Sequence, residues 1–181
     1  MCITALMSPE FVKITTDSKE FMMSDAHVFE AHLQWPAAES SSSPAHPEVG
    51  FSRNTVLGAA DKPPVPGSAP TVFGGDATRY NPEELLLMSL AQCHMLTFLA
   101  VASKKRIPVL RYEDRASGTL AVGASGKMSM QEVVLRPRVT IAAGFDAAAL
   151  AGVHDKAHAN CFIANSVNFP VRVEPTVADA T

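Results

Sequence analysis

Charge is scarce in this chain. Asp, Glu, Lys and Arg make up 18% of its 181 residues, against roughly 25% in an average globular domain. There is no basic excess either: the formal net charge is −3, which gives no electrostatic footing for a nucleic acid or an acidic membrane surface. Cysteine is equally sparse. Cys2, Cys93 and Cys161 are too few for the disulfide framework of a small secreted domain. No cationic stretch followed by an apolar run opens the chain, because Glu10, Lys13, Asp17, Lys19 and Glu20 interrupt it. A signal peptide is therefore not expected, and the expected compartment is the cytoplasm. What is abundant is apolar surface, at 47% of residues. That excludes a disordered chain, and with so little charge it points to a large subunit interface. The length fits about one domain.

One segment has the composition of a membrane span. From Leu85 to Ala102, 14 of 18 residues are apolar, at the lower edge of spanning length. Ser89, Gln92, His94 and Thr97 are spread through its middle, and an amide and an imidazole are costly in hydrocarbon. A buried core helix is expected instead, since such helices are also apolar all round, and no membrane is expected as a partner.

Residues 1–25 read as an N-terminal extension, 26–176 as a single domain and 177–181 as a C-terminal tail. His27–Trp35 alternates, with Phe29, Ala31, Leu33 and Trp35 on one face, and predicts a half-buried strand. The segment from Pro36 to Gly50, with four consecutive serines and three prolines, predicts a flexible connection. Phe51–Leu57 resumes as a strand that places Phe51, Arg53, Thr55 and Leu57 together, so one arginine stands on an apolar face. Residues 61–79 read as irregular chain.

Asn81-Pro82-Glu83-Glu84 is a strong helix start, with a cap, a first-turn proline and acids at the positive end of the dipole. The helix is expected to end near Lys105, before Pro108. Strands are predicted over about 110–122 and 128–142, joined through Gly123 and Gly126. A second helix capped by Asp146 should run through Cys161, and Phe169–Glu174 closes the order β-β-α-β-β-α-β. Without repeated β-α units, the fold class is α+β.

Within the first helix, four-residue spacing lines up Ser89, Cys93 and Thr97 on one small-residue stripe. The alanine-rich second helix is a suitable partner for that stripe, and Cys161 stands near its end. The two cysteines could then face each other, either as buried small hydrophobes or as a reactive pair. A reactive thiol needs a thiolate, which burial alone opposes. Cys93 lies far from its helix N-terminus, so a cation must come from elsewhere, and Arg53 is the candidate. Separately, His154, His158 and Cys161 fall at i, i+4 and i+7. With Cys93 they would have the donor types of a zinc site, the alternative being histidines lining an exposed face. His94 points about 100° away from Cys93 and reads as a core or interface histidine.

Three blocks, Asn81-Pro-Glu-Glu84, Cys93-His-Met-Leu-Thr-Phe98 and Ala157-His-Ala-Asn-Cys161 with Asn165-Ser166, resemble the OsmC/Ohr family of thiol-dependent peroxidases in order and spacing. The resemblance covers roughly residues 25–176. It implies antiparallel sheets packed around two central helices in an intertwined homodimer, with sites at the subunit interface. It implies a reactive cysteine at Cys93, a resolving cysteine at Cys161, and an arginine–glutamate pair at Arg53 and Glu83, with Arg79 as the rival arginine. It further implies an organic hydroperoxide substrate and an external dithiol reductant, with no bound cofactor and no metal. The Ser-rich insertion and the Asn160-Cys-Phe-Ile163 context differ from the hydroperoxide-resistance branch and point to an OsmC-like one. Other readings are a non-catalytic dimer that binds a hydrophobic small molecule, or a His/Cys metal-binding protein.

Glu83 and Cys93 are ten residues apart, about 15 Å along one helix. No single arginine bonds both at that distance, and nothing in Leu85–Leu90 breaks a helix. Glu83 is therefore expected to act on the partner's cysteine.

Overall fold

The computed structural model describes residues 26–35 and 50–178. In chain order it holds strands β1 (His32–Gln34), β2 (Thr55–Gly58) and β3 (Val65–Gly67), then helix α1 (Pro82–Lys104). Four strands follow: β4 (Val109–Asp114), β5 (Ser117–Val122), β6 (Met128–Leu135) and β7 (Pro137–Ile141). Helix α2 (Ala149–Ala159) and strands β8 (Val171–Val173) and β9 (Thr176–Ala178) complete the chain. The class is α+β, with three separate three-stranded sheets, β1-β2-β3, β4-β7-β9 and β5-β6-β8.

Helix α1 begins where its sequence directs. Asn81 accepts a hydrogen bond from the Glu84 N–H (2.8 Å) and its own N–H donates to the Glu84 carboxylate (3.1 Å), forming a reciprocal capping box. The helix ends as Arg106 turns left-handed (φ 57°), just ahead of Pro108, which cannot continue it.

The buried stripe of α1 is Leu90, His94, Phe98 and Ala102. It has the predicted four-residue spacing but is rotated one residue from the Ser89–Cys93–Thr97 stripe. The larger side chains of that neighbouring row bury more apolar area, so they face inward. The stripe serves two cores. Leu90 packs with Val133 and Leu135 of β6, whereas Phe98 and Ala102 pack with Val139 and Ile141 of β7 and Leu150, Val153 and Ala157 of α2. The expectation that α1 is buried all round is not met within one chain. Only 22% of its most apolar stretch is covered, and Met88 and Leu96 are exposed.

Each of the two long predicted strands is divided. The first breaks at Arg115-Ala116 and the second at Arg136, and the breaks are tied together: the Arg136 N–H donates to Asp114 Oδ1 (2.7 Å) and its guanidinium donates to Ser117 Oγ (2.7 Å). At this corner the chain passes from one sheet to the next. The β1-β2-β3 sheet is antiparallel, as expected, but the other two sheets are mixed. β8 pairs parallel with β6, and β9 parallel with β7, so that β8 running on into β9 follows the same course as β6 running on into β7. Strand β9 includes residues read from sequence as the start of the tail.

Three local expectations change. The strand predicted over 27–35 is only His32–Gln34 and is exposed, Phe29 being 92% and Leu33 67% accessible, because nothing among the described residues covers its apolar face. Residues 61–79 contain β3 and a 3₁₀ turn at Thr71–Phe73. Asp146 does not cap α2: its carboxylate accepts from the Ala148 N–H (2.8 Å) in a turn, and the helix starts later, with Ala148 at the N-cap position. The Ser-rich connection at 36–49, Cys2 and the N-terminal extension to residue 25 lie outside the described residues.

Candidate active site

Cys93 sits mid-way along α1 and is half-buried; Cys161 follows the end of α2 and is fully buried. Both are free thiols, and they are adjacent. Cys93 acts on the Cys161 proton as a hydrogen-bonding side chain and as a neighbouring charge. The Cys161 pKa is raised to about 11, first by burial and further by Cys93, while the backbone N–H groups of Ala164 and Ile163 work the other way. Cys161 therefore stays protonated at neutral pH, and the more accessible Cys93 is the better placed attacking sulfur.

The turn carrying Cys161 is held by the polar residues that follow it. Asn165 donates its side-chain amide to the Ala159 carbonyl (3.1 Å) and its backbone N–H to the Cys161 carbonyl (3.0 Å). Ser166 Oγ donates to the Phe162 carbonyl (2.7 Å). These bonds satisfy the last carbonyl of α2 and two in the turn that follows it, and they give Asn165 and Ser166 a structural role in holding the turn that carries Cys161.

Arg53 and Glu83 stand elsewhere. Arg53 lies 4.6 Å over the Phe51 ring in a cavity of about 330 Å³ walled by Trp35, Phe51, Leu57, Pro82 and Leu85. That cavity abuts the N-terminal end of α1, where Glu83 also lies. Among the described residues, neither buried Arg53 Nε nor buried Glu83 Oε2 has a hydrogen-bond partner. No ion pair joins them within the chain, so the expected arginine–glutamate pair is not formed there. The rival, Arg79, is ion-paired with Asp76 (3.5 Å) and lines a different cavity beside Met88 and Arg115. Neither arginine is bonded to Cys93. From Leu85 to Cys93 is eight residues, about 12 Å of helix, beyond a guanidinium anchored at the helix start.

The His154, His158, Cys161 and Cys93 set, the alternative zinc reading, is not assembled. Among the described residues no group of three or more His, Cys, Asp or Glu side chains is placed to hold an ion. Nor do they all line an exposed face. His154 is 4% exposed and its ring is bonded to His94, which is fully buried (Nδ1 to Nε2, 3.1 Å). One ring donates and the other accepts. Burial pushes both down to about 4, with the His154 and His158 rings adding to the effect at His94. Sequence reasoning assigned His94 to packing and His154 to a different role. The available signal was positional: His94 directly follows Cys93, and His154 lies two helical turns before Cys161.

The OsmC-like protein family model matches residues 74–176, which include α1, α2 and both cysteines. The chain belongs to the OsmC-like family. It is 32% identical to an OsmC-like protein from Vibrio cholerae, the likeness covering 83% of this chain and all of that one with a TM-score of 0.75. An organic hydroperoxide resistance protein from Elizabethkingia anophelis shares the fold (TM-score 0.64, 18% identity, 87% of this chain and 100% of that one). So does one from Legionella pneumophila (TM-score 0.62, 18% identity, 86% and 99%). No curated protein matches. The OsmC-like fold thus accounts for the two helices and for the mixed sheets packed against them.

Proposed function

We propose that this OsmC-like protein is a thiol-dependent peroxidase that reduces organic hydroperoxides in oxidative-stress defence. The adjacency of the Cys93 and Cys161 thiols, from elements far apart in the chain, carries the reading. In the proposed cycle the Cys93 thiolate attacks the outer peroxide oxygen. The O–O bond breaks, the alcohol leaves with a proton, and Cys93 becomes a sulfenic acid. The Cys161 thiol condenses with it, forming a disulfide and releasing water. A dithiol then reduces the disulfide by two exchanges and is itself oxidised. Free thiols and a dithiol supply suit the cytoplasm. Apolar neighbours on the flanking turns, Met88, Leu96 and Phe162 among them, favour an organic hydroperoxide over hydrogen peroxide.

The thiolate needs a cation, and in the proposed enzyme a second copy supplies it. Arg53 and Glu83 carry opposite charges, each has a buried atom without a partner among the described residues, and both lie at the end of α1 remote from their own Cys93. The exposed apolar faces of β1 and α1 provide the surface for an intertwined homodimer. In it, Arg53 of one protomer stabilises the Cys93 thiolate of its partner, and Glu83 orients that arginine.

The deciding experiment treats the reduced protein with one equivalent of cumene hydroperoxide and counts thiols by mass spectrometry. A Cys93–Cys161 disulfide with release of the alcohol is expected. Unchanged thiols would reject the peroxidase and leave a non-catalytic dimer that binds a hydrophobic small molecule.

A further inference from the structure

The contact between α1 and α2 is apolar along most of its length: Phe98 and Ala102 face Leu150, Val153 and Ala157. One polar link interrupts it. The His94–His154 bond is the one side-chain hydrogen bond that joins the two helices among the described residues. Its rings are stacked with planes 3° apart and centroids at 5.4 Å, and Phe98 closes the far side of His154 at 4.3 Å. Two imidazoles in such a place are not the least costly filling. A leucine would pack without desolvating ring nitrogens, and among the described residues His94 Nδ1 is left buried without a partner. A buried directional bond gives something apolar packing does not: one register of two surfaces that could otherwise slide past each other.

The register is the one that matters to the cysteines. His94 is the residue after Cys93, and His154 lies on the α2 face that leads to Cys161. We propose that His94 and His154 are positioning residues, whose mutual hydrogen bond fixes α1 against α2 so that Cys93 and Cys161 can close a disulfide. This deepens the two-cysteine reading and rests on it for its role in turnover, but the coupling is testable without any peroxide.

The full-length protein is equilibrated in mixtures of reduced and oxidised glutathione. There the two thiols and one oxidised glutathione give the intramolecular disulfide and two reduced glutathiones, and the fraction closed is read by mass spectrometry after acid quenching. His94→Leu and His154→Leu, which keep the packing volume but remove the bond, should lower the closure constant about fivefold. His94→Gln, whose amide nitrogen falls near the imidazole Nε2, should restore it to within about twofold of wild type. Leucine variants that close as readily as wild type would overturn the proposal, and so would a glutamine variant that falls as far as they do. Thermal unfolding reports whether each variant is folded. A second readout uses wild type alone. If the bond favours closure, closure must favour the bond, so the imidazole ¹⁵N resonances of His94 and His154 should shift between the dithiol and disulfide forms; identical spectra would overturn the proposal. Failure of the peroxidase reading looks different: the wild type closes in glutathione while cumene hydroperoxide leaves its thiols untouched.

Discussion

Phe98 and His154 are stacked 4.3 Å apart between ring centroids, which makes one aromatic side chain both the centre of the larger core and the floor beneath the buried histidines. Phe98 is fully buried against β7 and α2. Phe98→Ala should therefore destabilise the protein by about 3–5 kcal/mol, the usual range for removing a buried aromatic ring. Urea unfolding monitored by circular dichroism measures it; a loss below about 1 kcal/mol would contradict this packing.

Stability should fall on mild acidification. Burial depresses His94 and His154 from an ordinary 6.5 to about 4, so between these values the unfolded chain binds protons that the native state does not. The stabilisation from neutral imidazoles is complete above about pH 6.5 and is lost as the pH falls toward 4, at up to about 1.4 kcal/mol per pH unit for each ring. Thermal midpoints measured across pH 4–7 check this, and His154→Leu should flatten the slope. A slope unchanged in that variant would remove the histidines as its source.

The two cysteines should be unequal. Cys161 is held protonated near 11 by its burial, so Cys161→Ser should still consume one equivalent of hydroperoxide, leaving a sulfenic acid at Cys93 that dimedone traps. Cys93→Ser should consume none beyond the buffer control. Equal loss in both variants would exclude this division of roles.

Complementation tests the proposed exchange of residues between subunits. Arg53→Ala and Cys93→Ser should each be inactive alone. Unfolded together and refolded as an equal mixture, they should recover about a quarter of wild-type turnover, because mixed dimers would keep one intact site of two. No recovery, despite mixed dimers seen by native mass spectrometry, would place Arg53 on its own protomer's cysteine.

Helix α1 and its boundaries were legible in the sequence because every signal was local. The Asn81–Glu84 capping box forms within one turn, and the stop at Pro108 is a matter of one missing N–H. The motif spacing also marked Cys93 and Cys161 as a pair. Missed features depended on distant chain. The corner at Asp114 and Arg136 divides both long strands, yet its bond joins residues 22 apart. The start of α2 was misplaced because Asp146 makes a turn bond that competes with a cap. The stripe of α1 that faces inward was off by one residue, since periodicity gives the spacing of a face, whereas its direction follows from the volumes opposite.

The amino-acid order by itself determined that the chain is α+β with two helices, where α1 is capped, and which two sulfurs were candidates for chemistry. These follow from backbone sterics and from side chains a turn or less apart. The tertiary structure decided that Cys161 is the buried, protonated thiol, that His94 and His154 bond to each other, and that Arg53 and Glu83 lie near the start of α1, remote from their own Cys93. Each of those depends on desolvation and on partners brought in from far along the chain, and neither quantity exists until the helices have packed.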